Sequence, residues 1–201
     1  MNVMKTQSTN TLDRRAVVSK LLEHRNNALV VSGLGSTVWD CAAAGDSPLT
    51  FPVWGAMGAA AMTGLGIAIA QPKRPVAVIT GDGEMLMGIG SLATIGASRP
   101  SNLCVFVLDN GVYLETGGQP THSSGGVDLA GVATACGLNA QVVTTMDEVA
   151  ALQSKLHRID GPIFAQIKIA ATKAPLVMPP RDGSYLKDRF RHALLGEAAF
   201  E

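Results

Sequence analysis

The apolar positions of this chain fall into short unbroken runs separated by longer stretches with helical spacing. Residues 28–32 (ALVVS), 75–80 (PVAVIT), 102–108 (NLCVFVL), 141–144 (QVVT) and 162–169 (PIFAQIKI) are of the first kind. Without the polar alternation of a half-solvated strand, such runs predict strands buried on both faces. Helices are predicted over 13–25, 36–44, about 55–70, 83 to about 97, 127–136, 146–159 and 184–195. In the first, Val17, Leu21 and Leu22 share one face and Thr11 is the expected N-cap. Strands alternating with helices predict an α/β fold, a three-layer doubly wound parallel sheet with helices on both faces. Residues 1–12 are expected to be a flexible N-terminus, 13–171 the domain, and 172–201 a tail with a short helix. That helix carries Lys187, Arg189, Arg191 and His192, with Arg181 just before it, and reads as solvated or facing another subunit. No internal repeat is visible.

Composition alters this picture in two places. Of 201 residues 47% are hydrophobic but only 4% aromatic, and 22 are glycine. The core must therefore be built from small aliphatic side chains with close backbone approach. The stretch Pro52–Gln71 carries no charge over 20 residues, enough to raise the question of a membrane span. It is mostly Ala and Gly and poor in Leu and Phe, so insertion would be weak. A buried, tightly packed helix is expected instead, covered on every side, partly by another subunit; self-association follows from this reading. Lys+Arg and Asp+Glu balance at 16 each, and with no basic stripe a nucleic-acid partner is not expected. Cys41, Cys104 and Cys136 are scattered without metal-ligand spacing, which fits reduced thiols in a cytoplasmic protein. The N-terminal MNVMKTQSTNTLDRR lacks the apolar segment of a secretory signal.

The candidate chemistry lies at residues 81–113. Gly81-Asp82-Gly83-Glu84 stands between a strand and a helix, where glycine allows close backbone approach and free N–H groups face phosphate oxygens. Asp109-Asn110-Gly111-Val112-Tyr113 follows the next strand and offers an amide oxygen and bendable carbonyls. Magnesium binds through few protein oxygens plus phosphate oxygens, and one carboxylate, one amide and one carbonyl beside a phosphate cradle would make such a site. Taken alone, Gly-Asp-Gly favours an ordinary turn over a binding site, and Asn110 a loop cap. The combination is more specific: strand, Gly-Asp-Gly, helix, strand, then Asn110 28 residues after Asp82.

The segment GDGEMLMGIGSLATIGASRPSNLCVFVLDNGVY resembles the signature of the thiamine diphosphate enzymes, whose diphosphate-binding domain has this architecture. The resemblance implies Mg²⁺ coordination by Asp82, by the Asn110 side chain and by the Val112 backbone oxygen. It implies N–H donation to the diphosphate from Gly83 and Glu84, and cofactor contacts from Gly81, Asn110 and Leu114. The usual Asn-Asn stands here as Asp109-Asn110, a departure at the non-ligand position. Gly55-Ala56-Met57-Gly58 is similar to the segment that bends the cofactor in decarboxylases of the family. There Met57 would wedge between the two rings and the Gly55 carbonyl would accept from the amino group; the other reading of Met57 is plain core. Tyr113–Thr121 (YLETGGQPT) is similar to the segment after the Asn in phosphonopyruvate and sulfopyruvate decarboxylases and in 2-oxoacid:ferredoxin oxidoreductases. Gly35 and Ser36 fall where an upstream diphosphate-contacting turn is expected.

The resemblance spans residues 28–170 and leaves out the second domain of complete members, which binds the aminopyrimidine and supplies a catalytic Glu. It therefore implies a split 2-oxo acid decarboxylase, active with a separate pyrimidine-binding, α-type subunit. Glu115 and His122 are candidate proton-transfer residues or solvated loop groups, and Ser123 and Ser124 are candidate contacts to an anionic substrate head or plain loop. Three alternatives remain: an acetolactate-synthase-like carboligase, a 2-oxoacid oxidoreductase β subunit and a non-catalytic subunit. The scattered cysteines disfavour iron–sulfur chemistry on this chain. No Gly-x-Gly-x-x-Gly near the front supports a dinucleotide-binding alternative.

Overall fold

In a computed structural model, described over residues 11–158 and 160–200, six strands form one parallel sheet in the order β2-β1-β3-β4-β8-β7. The flexible segment expected at the N-terminus lies outside the described residues up to residue 10. The strands are β1 (Leu29–Ser32), β2 (Thr50–Pro52), β3 (Val76–Gly81), β4 (Leu103–Asp109), β7 (Asn139–Val143) and β8 (Ile163–Lys168). A separate antiparallel pair, β5 (Val112–Tyr113) and β6 (Gln119–Pro120), sits in the loop after β4. The helices are α1 (Arg14–Leu22), α2 (Ser36–Ala43), α3 (Ala60–Ala70), α4 (Asp82–Met87), α5 (Ser91–Ser98), α6 (Leu129–Ala135), α7 (Met146–Leu156) and α8 (Gly183–Leu195).

Alternate residues of each central strand enter opposite cores, as the pleat requires. Ala77, Ile79, Cys104, Phe106 and Leu108 pack with α1, α7 and Cys41 of α2. Val76, Val78, Leu103, Val105 and Val107 pack with α3, α5 and α6. This double burial is why these strands read as continuous apolar runs. Small residues let the layers close: a Cβ on Gly64 of α3 would stand 2.2 Å from Val78 Cγ2, and one on Gly96 of α5 would stand 1.8 Å from the Cys136 carbonyl oxygen.

Three sequence expectations are corrected. The N-cap of α1 is Asp13, whose carboxylate accepts from Ala16 N–H at 2.8 Å, rather than Thr11. The helix expected from residue 55 starts at Ala60, because residues 55–59 form a turn in which Gly58 takes a φ of +90°. On α3, Met62 and Ile69 are 42% and 60% exposed within this chain, so the cover expected from another subunit would fall there. The single helix expected to about residue 97 is two, broken at Gly88-Ile89-Gly90, because the Gly58 turn packs directly on the Gly88 backbone. The edge strand β2, which the sequence pattern does not reveal, pairs with β1. The basic helix α8 buries Leu186 and Phe190, the latter against Phe51 of β2 with ring centroids 5.5 Å apart. Arg189 of that helix reaches both carboxylate oxygens of Asp46, at 2.6 and 3.1 Å. Among the described residues no helix is long and apolar enough to cross a membrane.

Candidate functional site

The helices that follow β1 and β3 leave for opposite faces, α2 towards the Cys41 side and α4 towards the Met85 side. A crevice opens at the carboxyl ends of the strands where the chain divides in this way, the usual ligand position of such sheets. Here it is a cleft of about 160 Å³, lined by residues 34–37, Met57, residues 81–84, Leu108, Asn110 and residues 112–116, with Arg14 and Ile169 also contributing.

Most of the sequence-predicted site residues meet in this cleft. Gly35, Ser36, Met57, Gly81, Asp82, Gly83, Glu84, Asn110, Val112, Leu114 and Glu115 all line it. Gly55 and His122 are exposed and do not. The Asn110 amide oxygen accepts from Val112 N–H at 2.9 Å, which folds the chain back after β4. Glu115 reaches across the mouth of the cleft, its carboxylate accepting from the Ser36 hydroxyl at the start of α2. Gly83 must lack a side chain, since a Cβ there would meet the Tyr113 ring at 2.3 Å.

Two carboxylates of the β3–α4 turn are buried and face different ways. Asp82, 3% exposed, accepts on Oδ2 from Thr121 Oγ1 at 2.5 Å and lies 3.0 Å from Ser123 Oγ. Burial pushes its pKa up; the Thr121 hydrogen bond opposes this, and the nearby Asp109 charge adds to it. Glu84 turns back beneath the neighbouring loop and accepts from Leu34 N–H at 2.9 Å and Thr80 Oγ1 at 2.8 Å. Burial raises its pKa as well, with Thr80 and the backbone N–H groups of Ala60, Leu34 and Gly58 opposing the shift. Gly33 is the counterpart of this arrangement: a Cβ there would overlap Glu84 Oε2 at 1.8 Å.

Further polar residues, among them Gln166, Lys168 and Arg14 with no sequence signal, complete the surroundings. Ser123 Oγ also reaches Asp109 Oδ1 at 2.8 Å, so the loop residue read as a substrate contact or plain loop bridges two carboxylates. Ser124 instead donates to the Thr121 carbonyl at 2.7 Å. The other Asp109 oxygen accepts from Gln166 Nε2 at 2.6 Å and Lys168 Nζ at 2.5 Å. Burial alone would raise the Asp109 pKa, but the bonds from Lys168, Gln166 and Ser123 outweigh it and hold the group below the ordinary aspartate value. Arg14 is 4% exposed in the cleft wall and paired with the fully buried Asp40 of α2, which Arg15 Nε also meets at 3.2 Å. Among the described residues no three His, Cys, Asp or Glu side chains are grouped to hold a metal. Asn110 and Val112 line the same cleft as Asp82, and an amide oxygen and a backbone carbonyl are hard-oxygen donors of the kind that magnesium takes.

These features define a parallel α/β domain with a cleft at its switch point that two buried carboxylates of the β3–α4 turn border, and the chain belongs to the thiamine pyrophosphate enzymes. Residues 35–167 match the family model described as the thiamine pyrophosphate enzyme C-terminal TPP binding domain. Two kinds of relative stand out. One is a phosphonopyruvate decarboxylase of Streptomyces viridochromogenes, 44% identical over 158 residues, covering 78% of this chain and 39% of the relative. The other is the sulfopyruvate decarboxylase subunit beta of Methanothermobacter thermautotrophicus, 34% identical over 179 residues, covering 89% and 94% respectively. The chain thus spans about two-fifths of the phosphonopyruvate decarboxylases it matches and nearly the whole of that beta subunit. A solved structure of a putative thiamin diphosphate-dependent enzyme from Mycobacterium smegmatis shares the fold, with a TM-score of 0.71 at 23% identity over 82% of this chain and 33% of that one.

Proposed function

We propose that this chain is the diphosphate- and magnesium-binding part of a thiamine diphosphate-dependent 2-oxo acid decarboxylase. Its partner would be a pyrimidine-binding subunit that supplies the catalytic Glu. The observation that carries this reading is the convergence of Asp82, Asn110, Val112 and the Gly81–Glu84 turn on one cleft at the ends of β3 and β4. Thr121 and Ser123 both approach Oδ2 of Asp82 and hold the carboxylate in place; that carboxylate would bind Mg²⁺ with the Asn110 amide and the Val112 carbonyl, hard-oxygen donors suited to this metal. The N–H groups of Gly83 and Glu84 would hold diphosphate oxygens, with Gly35 and Ser36 opposite.

Thiamine diphosphate, when bound, supplies the ring carbon that adds to the ketone and holds the electrons released with CO₂. The chain's own residues shape and enclose that chemistry. Met57 would wedge between the two rings of the cofactor, and Leu114 would pack against it. Glu115, at the cleft mouth, is placed to move a proton or to exclude water; His122 lies outside the lining and would act only if its loop closed. The exposed face of α3, with Met62 and Ile69, suits contact with a second subunit, and the unpaired thiols suit a reducing, cytoplasmic setting.

The test is CO₂ release from sulfopyruvate, phosphonopyruvate and simpler 2-oxo acids, measured on the chain with its pyrimidine-binding partner, Mg²⁺ and thiamine diphosphate. Release that requires all components, and that Asp82→Ala abolishes, supports the reading. Carboligation without net aldehyde would move it to the acetolactate-synthase type. No turnover and no cofactor binding would leave a non-catalytic subunit.

A further inference from the structure

We propose that Lys168 is a positioning residue for Asp82, acting through Asp109 and Ser123: by offsetting the repulsion between the Asp109 and Asp82 carboxylates it holds both in the geometry that the metal site needs. The inference rests on the reading of Asp82 as a metal ligand. It starts from strand register: Asp109 and Lys168 are paired across β4 and β8 at their carboxyl ends, and Val107 is paired with Gln166. Two residues on, the pleat returns to the same face, so Gln166 and Lys168 both reach Asp109.

The charges alone show what the pair does. Asp82 and Asp109 are both almost fully buried, and a single serine oxygen touches both. Two carboxylates this close repel each other in a poorly solvated site. Lys168, with its side chain 40% exposed, is the cation that contacts Asp109 from the solvent side. Gln166 is held in turn, its amide oxygen accepting from Ala130 N–H at 3.1 Å, so its N–H₂ must face the carboxylate.

Proton counting extends the path to Asp82. Thr121 and Ser123 bring one hydroxyl proton each to two carboxylates. The shorter contacts assign the Thr121 proton to Asp82 and the Ser123 proton to Asp109. The Ser123 oxygen is then fixed where it limits the position of Asp82 Oδ2, 3.0 Å away. An uncharged Asn in place of Asp109 would need no lysine. The aspartate and the lysine therefore form a matched pair, and removing only one leaves a mismatch.

Mg²⁺ titrated calorimetrically into the chain with its pyrimidine-binding partner at saturating thiamine diphosphate tests this, alongside melting of the ligand-free protein. Lys168→Met is expected to weaken Mg²⁺ binding about tenfold, in the range for residues that orient metal ligands. Lys168→Arg should stay near wild type, and Asp109→Asn added to Lys168→Met should recover most of the loss. If Lys168→Met proves too unstable to measure, Ser123→Ala cuts the same path without touching the charge pair and should weaken binding severalfold. Wild-type affinity in Lys168→Met, wild-type affinity in Ser123→Ala, or a double variant no better than Lys168→Met would each overturn the proposal while leaving the metal site intact. A wild-type chain that binds no Mg²⁺ would overturn the functional reading and this inference together.

Discussion

Strands β1 and β3 lie side by side in register, and each passes through a glycine-bearing turn into a helix at the same edge of the sheet. Neither helix has a side-chain cap at its first turn. The β1–α2 turn contributes no charged group of its own: Gly35 takes a φ of +82°, and the nearby carboxylate, Glu115, arrives from the loop after β5. The β3–α4 turn carries two buried carboxylates, one directed into the cleft network and one back under its neighbour. On the proposed reading, similar backbones would thus serve as an anion-facing wall and as an anchor for metal and loops. The difference lies in side chains that only tertiary structure brings together.

The sharpest way to break the comparison is at Asp82. Asp82→Ala should weaken Mg²⁺-dependent thiamine diphosphate binding by more than about 100-fold, beyond what losing a supporting residue costs, and calorimetry reads this directly. Gly33→Ala attacks the coupling between the turns. Its Cβ would collide with Glu84 and come within 2.9 Å of Thr80 Oγ1, and overpacking of this kind costs about 2 kcal/mol. A melting temperature lowered by several degrees is expected, and unchanged melting would mean that Glu84 is free to move aside.

Much of this contrast was legible in the sequence, and the limits have physical causes. Strands β1, β3, β4 and β8 are buried on both faces, so their apolar runs mark them within a residue or two. Strand β2 is three residues long and ends in proline, too short for any periodicity. The break between α4 and α5 escapes notice because apolar spacing continues through Met87 and Ile89, and only the approach of Gly58 from another loop stops the helix. Asp82 and Asn110 stand in a motif of fixed spacing. Thr121 closes the YLETGGQPT segment, which assigns it no role, and Gln166 and Lys168 have no motif: Lys168 becomes relevant only once β8 pairs with β4. The Asp109 departure, which the motif makes a minor change, turns out to be tied to three side chains.

Smaller effects sharpen the comparison further. Thr121→Val removes the hydroxyl at 2.5 Å from Asp82 and should weaken Mg²⁺ binding about tenfold, without a matching change when Thr37 on the first turn is replaced. Glu115→Gln should do the opposite on the β1–α2 side. It keeps an acceptor for Ser36 but removes a negative charge from the start of α2, where an anionic ligand would compete for the same field. Thiamine diphosphate affinity measured by calorimetry is expected to rise by about two- to threefold. A fall instead would make Glu115 a contributor to binding.

The central claim is that the β3–α4 turn and the end of β4 hold a diphosphate through Mg²⁺. Calorimetric titration of thiamine diphosphate into the chain with its pyrimidine-binding partner, with Mg²⁺ and then with EDTA, tests it most directly. The account predicts saturable binding with Mg²⁺ that EDTA and Asp82→Ala each abolish. Binding of equal strength in EDTA, or in the Asp82→Ala protein, would contradict it.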